Sequence, residues 1–231
     1  MGLKLVLEIE RRDRLSYLHQ NQTLSPMAFP LPAVHALRDR RPVPEIERPT
    51  QRAHRELAAV LREGDLAIDA TAGNGHDTLF LARQVGESGR VIAFDIQPAA
   101  ITATSARIRE AGFIRRVRFV IGSHARLSEQ VRPGVARAVV FNLGYLPGGD
   151  HSIVTRSEST LSALGQALEI LQPGGLLAIV CYPGHPGGDL ESEAVLEWLH
   201  SLDPELFLTE VDRRVDTLRP APFLVLVRKA G

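Results

Sequence analysis

One thiol, Cys181, stands in a chain of 231 residues. It cannot close an internal disulfide, and a lone thiol with scattered histidines assembles no zinc site. Long apolar runs are missing as well, since none approaches the ~20 residues needed to cross a bilayer. The opening "MGLKLVLEIERRDR" turns charged after a very short apolar stretch, unlike a secretory signal. Val6 stands where a myristoylation signal wants Ser or Thr. Excess charge of either sign is also absent, with 27 Lys and Arg against 27 Asp and Glu. Bulk charge therefore names no polyanion partner, although a local basic patch can serve an enzyme that visits nucleic acid. The expectation is a soluble, cytoplasmic chain with no membrane segment and no metal.

Regular periodicity is lacking over residues 1–48, where "SPMAFPLPAVHALRDRRPVPEIERP" carries repeated prolines and mixed charge. That segment reads as an arm or linker with a short strand at Leu3 to Ile9, leaving 49–231 as one domain. From Thr50, read as an N-cap, apolar positions at Leu57, Ala58 and Leu61 and a stop at Gly64 predict a helix. Short apolar runs at 66–70, 91–95, 117–121, 137–143 and 176–181 then alternate with helical segments near 77–85, 98–111, 157–171 and 189–201. Such alternation predicts a doubly wound α/β, Rossmann-like sheet, mostly parallel, with its ligand site at the carboxyl ends of the strands. The tail breaks the rule. "ELFLTEVDRR" and "APFLVLVRK" leave no room for a crossover helix and must pair as an antiparallel hairpin. A parallel sheet finished in this way is the outline of class I methyltransferases, an argument from fold analogy.

The strand at 66–70 gives way to "DATAGNGHDT", residues 69–78. Gly73 and Gly75 let the backbone turn tightly, with free N–H groups of the next helix facing the same space. Bends of this outline serve dinucleotides, phosphates and S-adenosylmethionine, and a tight turn with no ligand is the plainer alternative. A dinucleotide site wants a third glycine where Thr78 stands. Asp69, before the glycines, suits the ammonium of a methionine moiety and would oppose a pyrophosphate. Asp95, ending the second strand, is placed to accept from a ribose diol. Ser123 and His124, after the third, fall near an adenine ring; an exposed His124 with no role is the competing reading.

The fourth strand ends in "VVFNLGYLPGGDHS". Asn-x-x-Tyr at a strand end resembles the Asn-Pro-Pro-Tyr motif of amino-methylating enzymes. Asn142, the Leu143 carbonyl and Tyr145 could steer an amine lone pair, with positioning and desolvation as the catalytic demand. Oxygen methylation would need a base instead, which Asp150 or His151 could supply. "PGGDHS" serves equally as a loop and helix cap, with Asp150 or Ser152 satisfying free N–H groups. The fifth strand ends in "CYPGHPGG", offering Tyr182 and His185 to the acceptor, while Cys181 reads as packed.

Taken together, "EGDLAIDATAGNGHDTLFLA", "GRVIAFDIQPAAI", "FNLGYLPGGDHS", "LQPGGLLAIVCYPGHPGG" and "APFLVLVRK" resemble the tRNA 5-(aminomethyl)-2-thiouridine methyltransferase family, once catalogued as rRNA methylases. The resemblance covers roughly Thr50 to Lys229. It implies an S-adenosylmethionine-dependent enzyme that methylates the exocyclic amine of wobble uridine in the anticodon stem-loop of tRNA. It also implies that Asp69, Gly73, Asn74, Gly75, His76, Asp77 and Thr78 surround the methionine end of the cofactor. Asp95 and Gln97 would serve its ribose and adenine, with Ser123 and His124 nearby. By the same resemblance Asn142, Tyr145, Gly148, Gly149 and Asp150 would border the methyl acceptor; Asn142, Tyr145 and Asp150 are the catalytic candidates, and the local reading adds His151, Tyr182 and His185 as substrate-binding candidates. The long arm and the "RPAPF" string depart from the family pattern.

Two basic clusters could meet RNA: Arg107, Arg109, Arg115, Arg116 and Arg118 around one helix, and Arg38, Arg40, Arg41 and Arg48 in the arm. The arm is the favoured contact; a solvated face is the plainer reading of either. An rRNA or small-amine acceptor, a nicotinamide-dependent oxidoreductase and a non-catalytic binding module are the competing readings, and homodimer formation is left open.

Overall fold

A computed structural model describes residues 47–146, 148, 154–214 and 220–231. Residues 46–231 form one compact unit. The expected arm, the strand at Leu3 to Ile9, and Arg38, Arg40 and Arg41 lie outside the described residues, as do Gly149, Asp150, His151 and Ser152.

Helix α1, Pro49–Val60, begins with proline in its first turn, where no intrahelical N–H is required. Arg48, not Thr50, is therefore the N-cap residue. Ala53, Leu57 and Val60 fall on one face and are buried. Strand β1, Leu66–Asp69, leads through the glycine bend into α2, His76–Gln84. Then come β2, Arg90–Asp95, α3, Pro98–Glu110, and β3, Val117–Ile121. A short helix α4, Leu127–Gln130, precedes β4, Ala136–Asn142. The remaining elements are α5, Ser157–Ile170; β5, Leu171–Cys181; α6, Gly188–His200; β6, Phe207–Asp212; and β7, Phe223–Lys229.

The seven strands lie in the order β3-β2-β1-β4-β5-β7-β6. Pairings among β1 to β5 are parallel, whereas β7 runs antiparallel to both β5 and β6. The strand order reverses between β1 and β4, so their carboxyl ends open a crevice there, the usual ligand position in such sheets. Alternate side chains of the central strands enter two cores. Val139 and Phe141 of β4 pack with Leu164 of α5 and Val195 of α6. Ala138 and Val140 pack with Leu57 of α1, Leu81 of α2 and Ile108 of α3.

β3 occupies the sheet edge, and its last residue, Ile121, is exposed. Its apolar run belongs to a strand with only one neighbour, so a continuous hydrophobic string did not imply burial on both faces.

Candidate active site

The crevice is a cavity of about 710 Å³ at the carboxyl ends of the parallel strands. Its floor is the glycine bend. Gly73 and Gly75 both lie in the left-handed region, with φ of 52° and 79°. A Cβ on Gly75 would stand 2.8 Å from Thr104 Cα, so this glycine admits the backbone of α3 against the turn. Gly73, Asn74, His76 and Asp77 line the cavity. Gly75 does not, and neither do Asp69 and Thr78, which are wholly buried.

Asp69 therefore lies behind the bend, with no exposed surface for the direct ammonium contact expected of it. Its carboxylate accepts from Thr71 N–H at 3.2 Å and from Thr78 Oγ1 at 2.5 Å, tying the strand end to the first turn of α2. Burial, followed by the nearby charge of Asp77, pushes its carboxyl up to about 7.

Asp95 lines the cavity and also orders it. One carboxylate oxygen accepts Gly73 N–H at 2.9 Å and the other Gln97 N–H at 2.8 Å. Each oxygen keeps a lone pair, which suits a vicinal diol. Gln97 and Ser123 face the same space, Ser123 capping the short turn that follows β3 through Ala125 N–H. His124 is not the exposed histidine of the competing reading. It is 7% exposed, edge-on to Phe141 with centroids 5.6 Å apart, and burial lowers its pKa toward the neutral ring.

The opposite wall starts at Asn142, the last residue of β4. Its backbone N–H donates to Thr71 Oγ1 at 2.7 Å, and its side-chain Nδ2 donates to Asp77 Oδ2. Tyr182 O–H donates toward Asn142 Oδ1 at 3.4 Å; burial, then the charge of Asp77, raises the phenol pKa and keeps the donor protonated. Tyr145 and His185 meet edge to face with centroids 5.7 Å apart, and both line the cavity. Gly148 does not reach it. Cys181 is buried, and burial pushes its thiol up to about 12, consistent with a packed residue.

Sequence reasoning missed the contribution of Thr50 and His54 from α1 to the cavity. Arg48, Thr50 and His54 line the cavity, and His54 Nε2 lies 2.6 Å from Asp77 Oδ1. Thr50 and His54, four residues apart, share one helical face, and that spacing was the available signal. Pro220 and Pro222 of the "RPAPF" string also reach the cavity, as do Thr155 and Ser159. The basic cluster on α3 and its exit is largely engaged internally. Arg107 donates to Asn74 O, Arg116 to Ala82 O while covering the Phe113 ring, and Arg118 to Gln130.

Residues 91–228 match the "Putative rRNA methylase" family, more than half of the chain. The chain belongs to that family. A tRNA (mnm5s2U34)-methyltransferase of Arabidopsis thaliana, designated chloroplastic, is 45% identical over 155 residues, covering 63% of this chain and 57% of the relative. The chain spans about half the length of the curated relatives it matches. A crystal structure from Clostridium thermocellum, of the same description as the family, is 40% identical with a TM-score of 0.78, covering 80% of this chain and 99% of that one. A Streptococcus mutans structure described as a putative methyltransferase, solved with S-adenosylhomocysteine, is 36% identical with a TM-score of 0.73 over the same shares. The fold is that of Rossmann-like, S-adenosylmethionine-dependent methyltransferases, with the expected antiparallel strands after β5.

Proposed function

We propose that this chain is an S-adenosylmethionine-dependent N-methyltransferase acting on the 5-aminomethyl group of wobble uridine or thiouridine in the anticodon stem-loop of tRNA. The observation that carries the reading is the fixed amide of Asn142. Its NH2 end is committed to the Asp77 carboxylate, so its oxygen is the end left to accept a hydrogen bond.

The donor side of the cavity fits the cofactor. Its volume lies within the ~300–1,000 Å³ usual for small-molecule sites. Gly73 and Asn74 would hold the amino-acid end, Asp95 the ribose hydroxyls, and Gln97, Ser123 and His124 the base. S-adenosylmethionine supplies an electrophilic methyl group on a sulfonium sulfur.

The acceptor side does the orienting. Asn142 Oδ1 and the Leu143 carbonyl would accept the two N–H groups of a neutral amine and leave its lone pair uncommitted. Tyr145 and Tyr182 offer ring faces to a flipped base, as single-stranded RNA recognition requires. Enclosure by these rings disfavours the charged ammonium, which must lose a proton before it can act as a nucleophile. Arg48, which lines the cavity, would meet the RNA backbone. The proposed compartment is the cytoplasm; among the described residues no helix is long and apolar enough to cross a membrane.

The test compares nucleosides by mass spectrometry. tRNA from cells lacking the gene should accumulate 5-aminomethyl-2-thiouridine at the wobble position, and the purified protein with S-adenosylmethionine should convert it to the methylated form. Unchanged tRNA profiles would overturn the assignment. The family description favours rRNA as the second reading, and a methylated nucleoside lost from rRNA in the same cells would establish that acceptor instead.

A further inference from the structure

We propose that His54 and Asp77 form a positioning pair that decides which end of the Asn142 amide faces the acceptor. The proposal rests on the amine-methylation reading above and deepens it.

An asparagine side chain has two ends of nearly equal shape, one accepting and one donating. Only the accepting end can take an amine N–H without occupying the nitrogen lone pair. An ionised carboxylate offers acceptors alone, so Asn142 can satisfy Asp77 Oδ2 only through Nδ2. The oxygen is thereby held away from Asp77, on the side where Tyr182 O–H stands at 3.4 Å. A water in place of Asp77 would accept and donate equally well, and the amide would lose its preference.

The same logic extends outward to α1. Asp77 Oδ1 meets His54 Nε2 at 2.6 Å, a contact that requires the ring proton on Nε2. The ring of His54 lies flat on Phe80, with centroids 4.0 Å apart and planes 2° from parallel. Stacking fixes the ring plane, and the ring plane aims the N–H at the carboxylate. Asp77 itself sits in the first turn of α2, where free N–H groups favour a negative charge. Three elements thus converge: His54 from α1, Asp77 and Phe80 from α2, and Asn142 from β4. Neither His54 nor Asp77 needs to touch the reacting atoms in this role.

Asp77→Asn keeps the shape and replaces a pure acceptor by a group that accepts and donates, so Asn142 can pair with it in either orientation. We expect kcat on tRNA bearing the 5-aminomethyl group to fall about 100-fold, the scale of a misplaced reacting group. KM for tRNA and affinity for S-adenosylhomocysteine by calorimetry should stay near those of the unaltered protein. His54→Phe keeps the stack on Phe80 and removes the donor, for a loss in kcat on the order of tenfold, the scale of one hydrogen bond to a charged group. His54→Gln returns an N–H and should recover part of that loss. The double variant should fall no further than Asp77→Asn alone, because the two residues act through one contact.

A second readout needs neither substrate nor cofactor. In the free protein, 15N NMR should show the Asn142 side-chain amide shifted downfield and slow to exchange, and Asp77→Asn should abolish that signature. Full kcat in Asp77→Asn, additive losses in the double variant, or an unshifted Asn142 amide in the free protein would each overturn the proposal. Loss of S-adenosylhomocysteine affinity in parallel with kcat would also overturn it and assign Asp77 to the donor pocket. An unaltered protein that shows the NMR signature but methylates no tRNA would support the pair and overturn only the substrate reading.

Discussion

Glu191 and Thr155 are joined by a 2.6 Å hydrogen bond from the threonine hydroxyl to the carboxylate, which links the first turn of α6 to the segment that follows β4. The same Thr155 oxygen accepts Gly144 N–H at 2.8 Å, while Thr160 of α5 donates to the other Glu191 oxygen at 2.6 Å. A buried carboxylate thus holds the chain between Asn142 and Tyr145 at one remove. Replacing Glu191 by Ala leaves two hydroxyls without their acceptor and should cost about 2–4 kcal/mol of unfolding free energy, whereas Glu191→Gln, which keeps one acceptor oxygen, should cost about 1 kcal/mol. Urea denaturation measures both. Because Thr155 Oγ1, which accepts Gly144 N–H, then loses the carboxylate that orients it, KM for the proposed RNA substrate should rise in Glu191→Ala while cofactor affinity holds. Unchanged stability and KM would show that water replaces the carboxylate without loss.

Gly75→Ala should damage the donor pocket without touching its lining. The added Cβ meets Thr104 Cα at 2.8 Å, and the residue must keep φ of 79°. Left-handed strain and overpacking together predict a loss of about 2–4 kcal/mol. Thermal and chemical unfolding should register it. A variant as stable as the parent would mean that α3 shifts freely, contrary to the close packing of Thr104 on the bend.

Asp69 should make stability depend on pH. Its carboxyl rises from the ordinary 3.8 to about 7 on folding, so the folded chain retains a proton that the unfolded chain releases between those values. The associated stability is complete below the unfolded value and declines as pH climbs toward the folded one. Asp69→Asn cannot ionise there, so its unfolding free energy should fall less steeply across that window. Superimposable profiles of variant and parent in urea titrations would assign the dependence to other groups.

Cys181 should be inert in the native protein. Burial pushes the thiol up to about 12, and the thiolate is the reactive form. Ellman's reagent should label it only after denaturation; prompt labelling of the folded protein would contradict the packing of β5.

Much of this site was legible in the order of strands and the residues at their ends. Asn142, Asp95 and Gly73 follow apolar runs, and an alternating α/β pattern delivers such residues to one rim. The packing of Asp69 was not legible, because a strand-end carboxylate can face either a ligand or the turn behind it, and here it faces Thr78. His54 escaped notice for a different reason. It precedes the first strand, and nothing local tells that α1 will lie against α2 so that its imidazole meets Asp77. The position of β7 was half visible. "FLVLV" is apolar without interruption and its five residues are buried, as an interior strand demands, whereas "FLTEVD" mixes polar residues as an edge strand does.

That inverted order in the tail has a consequence for synthesis on the ribosome. The partner that covers the open flank of β5 is made after β6, not before it, so β5 waits with its amide and carbonyl groups unmatched until residues 223–229 emerge. During that interval the nascent sheet offers an apolar, pairing-competent border, the kind of surface that recruits chaperones or neighbouring chains.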